Sequence, residues 1–171
     1  MHWVKQQHKG QKIKASGKPY FSHLITVAEM ADPATLLGFE IGLCHDLLED
    51  TKTNITDLKS ALNACGYTPE ENTHIATCVI ELTDVFTKKS YSDLTKSARK
   101  AKEAERLATI SGAAQTVKYC DLIYNIHWMI AYDKKHLKKY LTKKMLLLDR
   151  LDKGDKGLRQ KARELIKAIS V

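Results

Sequence analysis

The sequence predicts an all-α protein, and three observations carry that prediction. Its 171 residues include only 3 prolines and 8 glycines, so long stretches are free of helix breakers. Strict apolar–polar alternation is absent, while apolar residues recur at spacings of three and four. Cap and stop residues fall at intervals that leave helix-length segments between them. The expectation is a compact helical bundle in one domain, 1–171, a length that can bury a full core.

The elements follow from that punctuation. Ser22 to Met30 reads as a short apolar helix, and Asp32-Pro33 starts the next, expected to run through Leu48. Asn54 or Thr56 caps a helix over ITDLKSALNAC that Gly66 ends. Pro69 opens another reaching about Leu82. KSARKAKEAERLATI, rich in helix formers, places a helix within Ser90 to Ile110, and Gly112 separates it from one over Ala113 to Tyr132. Two further helices, about Lys134 to Leu151 and Gly157 to Ile169, form a C-terminal section spanning 134–170.

Composition narrows the setting. Apolar residues make up 43% and charged residues 28%, an ordinary soluble balance. No run of about 18 apolar residues suggests a membrane span, and MHWVKQQHKGQK lacks the apolar core of a secretory signal. Cys44, Cys65, Cys78 and Cys120 follow no metal or disulfide spacing, so reduced thiols and a cytoplasmic location are expected. The net charge of +8 points to an anionic partner. KKHLKKYLTKK (134–144) carries much of the excess, yet Leu137, Leu141, Met145 and Leu148 keep helical spacing through it. A solvated face on an amphipathic helix accounts for it, and no nucleic-acid motif accompanies it. A phosphorylated small molecule suits the charge.

The chemistry concentrates in HDLLED, residues 45–50. On one helix, His45 and Glu49 would stack, as would Asp46 and Asp50. His45 and Asp46 diverge by about 100° and can still converge on one ion over the edge between them. More ligands must come from elsewhere. His23 lies in PYFSHLITVA at the start of an apolar helix. Asp121 lies in VKYCDLIYNIHWM, where an aspartate is costly unless paired or metal-bound. Asn125 shares its face. Each residue alone has an ordinary structural reading, a satisfied core histidine or a paired acid. Together, His23, His45, Asp46 and Asp121 form a two-histidine, two-aspartate set suited to Mn²⁺ or a similar divalent ion. Glu49 and Asp50 would stand beside what the ion binds, as proton acceptor or orienter of a nucleophile.

The order HKGQKIKASGKPYFSH (8–23), GLCHDLLEDTKT (42–53) and VKYCDLIYN (117–125) resembles the HD superfamily of metal-dependent phosphohydrolases. Within it the likeness is to the hydrolase domain of RelA/SpoT alarmone enzymes and to stand-alone small alarmone hydrolases, over about residues 5–130. The resemblance implies an HD-type helical fold and Mn²⁺ held by His23, His45, Asp46 and Asp121. It implies Glu49 and Asp50 as the catalytic acid pair, and Asn125 beside the nucleotide's sugar-phosphate. The implied reaction removes the 3′-pyrophosphate of (p)ppGpp. With the chain ending at Val171, a hydrolase without a synthetase domain is expected.

The departures lie in the groups that read substrate. The family's Arg-Lys pair before SGxPY is Lys12-Ile13-Lys14 here, with no planar guanidinium to stack on a base. The residues between Asp121 and Asn125 are Leu122, Ile123 and Tyr124, where the family carries arginine, leucine and histidine. Lys14 and Lys18 flank the segment leading to His23 and can meet phosphate. Arg99, Lys102 and Arg106 recur on one helix as either a phosphate-facing stripe or, with Glu103 and Glu105, a salt-bridged surface. Lys88 and Lys89 stand in a loop that can also reach substrate. A nucleoside phosphate or NADPH therefore stays open as an alternative substrate, and a non-catalytic nucleotide-binding module as an alternative class.

Overall fold

The computed structural model describes residues 1–169. Among them are ten α-helices: α1 (His2–Gln7), α2 (Phe21–Ala31), α3 (Gly38–Cys44), α4 (Leu47–Asp50), α5 (Ile55–Ala64), α6 (Pro69–Leu82), α7 (Lys96–Thr109), α8 (Gly112–Tyr132), α9 (Lys134–Arg150) and α10 (Lys156–Ile169). A single 3₁₀ turn, Asp32–Ala34, follows α2. The all-α expectation holds. Ser170, to which the C-terminal section was expected to extend, lies outside the described residues.

Local chemistry sets most boundaries. Asn54 accepts from the Thr56 and Asp57 amides while Asp57 answers the Asn54 amide, a full capping box. Thr68 and Glu71 repeat the motif with Pro69 in the first turn, so α6 begins where the sequence places it. Thr95 caps α7, which starts later than Ser90 because residues 87–94 form turns. Ser111 caps α8. The helix α1 carries no sequence signal of its own: it is six residues long and buries only Val4.

The helix expected from Asp32 through Leu48 is interrupted. After the 3₁₀ turn, Leu37 takes a left-handed conformation (φ 54°), and α3 begins only at Gly38. Close packing on α2 enforces this path. A Cβ at Gly38 would lie 2.1 Å from the Ala31 carbonyl oxygen, and one at Gly42 would lie 2.7 Å from the Ala28 Cα. A second break falls inside HDLLED. Asp46 sits at φ −101°, ψ 2°, outside helical geometry, so α3 ends ahead of it and α4 restarts after it.

α8 is the axis of the molecule. Val117, Tyr119, Cys120 and Ile126 on it are fully buried, and it packs against α2, α3, α6, α9 and α10. Each fully buried aliphatic side chain here contributes roughly 1.5–3 kcal/mol relative to exposure. Leu141 and Leu148 face inward from α9, while Lys134, Lys135, Lys138, Lys139 and Lys143 are exposed, the solvated face expected for that helix. Cys44, Cys78 and Cys120 are buried, Cys65 is exposed, and all four are free thiols. No helix among the described residues is long and apolar enough to cross a membrane.

Candidate metal centre

Three elements converge where α2, α3 and α8 meet. α2 delivers His23 from its first turns, the α3–α4 break delivers His45 and Asp46, and the middle of α8 delivers Asp121. The glycine contacts hold α2 and α3 close, leaving the His23 and His45 rings 5.2 Å apart between centroids. His23 Nε2 lies 3.5 Å from Asp46 Oδ2 and 3.6 Å from Asp121 Oδ1. His45 Nε2 lies 3.0 Å from Asp46 Oδ2 and 4.0 Å from Asp121 Oδ1. Ligand atoms of His23, His45 and Asp121 all fall within 4.8 Å of one another.

This donor set fits a divalent cation. His45 Nδ1 lies 2.7 Å from the Gly42 carbonyl, which can only accept, so that nitrogen carries the proton. The Nε2 lone pair then faces the centre, and this buried atom has no hydrogen-bond partner among the described residues. A backbone-fixed tautomer with a free lone pair is the usual state of a ligating histidine. With neutral imidazoles the two aspartates leave a charge of −2, which a dication balances. Without a metal, a proton takes that role. Burial disfavours the charged imidazole, but the Asp46 and Asp121 carboxylates outweigh it and push His45 up to about 9. Burial likewise opposes ionisation of Asp46 and Asp121, yet His45 beside Asp46 and Lys118 beside Asp121 hold both carboxyls down.

Two neighbours carry no metal-ligand signal in the sequence. The Tyr20 hydroxyl donates to Asp46 Oδ2 at 2.5 Å, with its ring stacked on His8. Burial and the Asp46 charge keep this phenol protonated. Lys118 Nζ lies 3.3 Å from Asp121 Oδ2, one helical turn earlier on α8. Its spacing of three from Asp121 is visible in VKYCD, but nothing there separates it from the other lysines. Tyr20 is visible in SGKPYFSH, where only the fold shows its reach.

The other expected site residues divide. Glu49 stands in the first turn of α4, and its Oε1 accepts from the Asp84 amide at 2.5 Å. Glu49 is exposed, and partial desolvation raises its carboxyl pKa despite that bond. The Asp50 side chain is exposed, while its carbonyl accepts from Gln11 at 2.6 Å. Asn125 donates to Asp121 Oδ1 at 2.5 Å. Lys14 and Lys18 lie on the exposed loop before α2. Arg99 donates to the Tyr91 and Leu94 carbonyls. Arg106 binds the buried Glu103 and the Glu81 and Thr83 carbonyls. Both guanidinium groups hold the connection between α6 and α7, Arg99 through backbone carbonyls and Arg106 also through a salt bridge to Glu103.

Comparison with known proteins gives this arrangement a context. No family model matches the chain. The guanosine-3′,5′-bis(diphosphate) 3′-pyrophosphohydrolase MESH1 of Danio rerio is 29% identical over 131 residues, 74% of this chain. Its Mus musculus counterpart is 29% identical over 125 residues, 70% of this chain. The chain spans 64% and 62% of the length of these two relatives. A GTP pyrophosphokinase of Streptomyces coelicolor is 47% identical over 57 residues, 30% of this chain and 6% of that protein. The solved structure of a metazoan ortholog of SpoT, described as hydrolysing ppGpp, superposes with a TM-score of 0.78 at 21% identity, covering 98% of this chain and 92% of that one.

Fold and site together define an all-α architecture, shared with that solved structure, with a histidine–aspartate cluster whose donors suit a divalent metal. The likeness to RelA/SpoT-type small alarmone hydrolases, read from three sequence blocks, is borne out by these relatives.

Proposed function

We propose that the protein is a Mn²⁺-dependent pyrophosphohydrolase that acts on the 3′-pyrophosphate of (p)ppGpp. Water adds to the inner 3′ phosphorus, the bond from that phosphorus to the ribose 3′ oxygen breaks, and GDP or GTP leaves with pyrophosphate. One observation carries the reading: His45 Nε2, buried and without a hydrogen-bond donor among the described residues, faces His23 and the Asp46 and Asp121 carboxylates. The relatives named for this reaction supply the substrate class.

His23, His45, Asp46 and Asp121 would hold the ion, and their mixed nitrogen and oxygen donors suit Mn²⁺. A divalent metal bound there supplies charge neutralisation for phosphate and acidifies water at neutral pH. Tyr20 fixes the orientation of Asp46, and Asn125 fixes that of Asp121. Glu49, with its carboxyl raised by partial desolvation, is the base that takes a proton from the attacking water. Asp50 stands beside it and orients the nucleophile, while Lys14 and Lys18 meet phosphate oxygens.

The altered segment Lys12-Ile13-Lys14 makes substrate choice the point to test. The Mn²⁺-loaded protein should be incubated with ppGpp, dGTP, AMP and NADPH in parallel. Pyrophosphate release from ppGpp supports the reading. Turnover of another nucleotide with none of ppGpp overturns it.

A further inference from the structure

α1 is six residues long and adds one buried side chain, Val4, to the core. The polar side chains on it and just past its end reach further. Gln7 Oε1 accepts from the Thr53 hydroxyl at 3.3 Å, and Gln11 Nε2 donates to the Asp50 carbonyl at 2.6 Å. Both contacts land on the segment that leaves α4. His8, which closes α1, is only 2% exposed, and its Nδ1 lies 2.7 Å from Gln11 Oε1. Its ring stacks on Tyr20 with centroids 5.5 Å apart, and Tyr20 donates to Asp46.

The direction of each bond is fixed. A backbone carbonyl can only accept, so the Gln11 amide nitrogen faces Asp50 and its oxygen faces His8. His8 Nδ1 therefore carries the proton. Nε2 keeps the lone pair, buried and without a hydrogen-bond partner among the described residues. An unpaired buried ring nitrogen is costly, and the contacts on the other side of the ring are what this burial secures.

α4 depends on outside partners. It is four residues long, too short to hold its own geometry, and its last carbonyls have no partner within the helix. The Thr51 hydroxyl donates to the Leu47 carbonyl, and Gln11 donates to that of Asp50. Within the turn, the Asp50 amide donates to the Asp46 carbonyl at 2.9 Å. One chain of contacts thus runs from His8 through Gln11 to Asp50, and another from His8 through Tyr20 to Asp46.

We propose that His8 and Gln11 are positioning residues that set the Glu49–Asp50 turn in register with the metal ligand Asp46. The inference rests on the proposed pyrophosphohydrolase activity and names the residues that hold its acid pair in place. Gln11 acts on the acid pair alone. His8 acts on it and, through Tyr20, on Asp46.

Three measurements separate these roles. Pyrophosphate release from ppGpp, Mn²⁺ affinity and amide hydrogen exchange over residues 47–53 are compared for wild type, Gln11→Ala, His8→Ala and His8→Asn. Gln11→Ala should lose roughly tenfold to a hundredfold in kcat at saturating Mn²⁺, with KM and metal affinity unchanged. His8→Ala should lose as much and also bind Mn²⁺ about tenfold more weakly, because Tyr20 loses its stacked neighbour. His8→Asn keeps a donor where Nδ1 stands but has no ring. It should regain most of the rate at saturating Mn²⁺ while keeping the weaker metal binding. Amides over 47–53 should exchange roughly fivefold faster in both alanine variants, the effect of losing one hydrogen bond. A wild-type kcat in Gln11→Ala, or unaltered exchange in that variant, overturns the proposal. Equal losses of rate and metal affinity in all three variants would mark a general folding defect and overturn it as well. A wild type that releases no pyrophosphate from ppGpp, with the exchange difference present, would sustain the positioning of the turn and remove the proposed activity.

Discussion

His45 and Asp46 are consecutive in the chain, yet His45 Nε2 and Asp46 Oδ2 lie 3.0 Å apart and face the same point between α2 and α8. Neighbours on an unbroken helix would diverge by about 100°. The break between α3 and α4 turns them together. It also frees Gly42 to accept the His45 Nδ1 proton, which aims the other ring nitrogen inward. A departure from regular helix thus makes the centre.

Removing either member of this pair should empty the site. His45→Ala and Asp46→Ala are expected to lower metal affinity by more than about a hundredfold, beyond what loss of an outer-shell partner costs. Pyrophosphate release should vanish with the metal. Elemental analysis after dialysis, beside the activity assay, checks both.

Tyr20→Phe removes a single hydroxyl from Asp46 and leaves the four ligands in place. Metal affinity should fall by about 10- to 100-fold, the usual effect of an outer-shell partner. Activity should return at high Mn²⁺. Titration with Mn²⁺ separates this outcome from a general folding defect, which added metal would not repair.

Glu49→Gln should retain the metal and lose about 10²- to 10⁴-fold in rate. A base must be ionised, so the wild-type rate falls as pH drops through the Glu49 pKa. Partial desolvation raises that pKa, and the fall should begin at higher pH than an ordinary glutamate would give. The pH–rate profile of the variant should lack this acidic limb. A variant with the full wild-type rate would assign the base elsewhere.

Lys144 offers a test on stability. It is half-buried on α9 with its ammonium 5.3 Å from the Tyr140 ring centroid, and burial together with the Lys118 charge pushes it down to about 8 from an ordinary 10.5. Between those values the unfolded chain keeps a proton that the folded chain has released, so this group adds stability as pH rises through that window. Below about pH 8 the folded state carries the full penalty. Lys144→Met should therefore be more stable than wild type at pH 7, by on the order of 1–2 kcal/mol after solvent screening. The gap should close towards pH 10.5. Urea melts of both metal-free proteins at several pH values measure it.

Much of this was legible in the sequence, and the exceptions have physical causes. Asn54, Thr68, Pro69 and Ser111 act locally, so they place α5, α6 and α8 within a residue of expectation. Asp32-Pro33 carries a comparable start signal, yet yields only a 3₁₀ turn. The contact of Gly38 and Gly42 with α2 is a tertiary demand that no local pattern displays. The four ligand candidates are conspicuous as polar groups on apolar helices. Tyr20 and Lys118 are not, because their meaning lies in the distance to Asp46 and Asp121 rather than in spacing. Arg99 and Arg106 read in the sequence either as a phosphate-facing stripe or as a salt-bridged surface, and the carbonyls that engage them belong to a loop whose path only the fold defines.

The central claim is that one divalent ion sits among His23, His45, Asp46 and Asp121. A Mn²⁺-soaked crystal measured at the manganese absorption edge tests it most directly. The account predicts a single anomalous peak within about 2.3 Å of both Nε2 atoms and of an oxygen from each aspartate. A peak elsewhere in the molecule, or none at full Mn²⁺ occupancy of the solution, would contradict it.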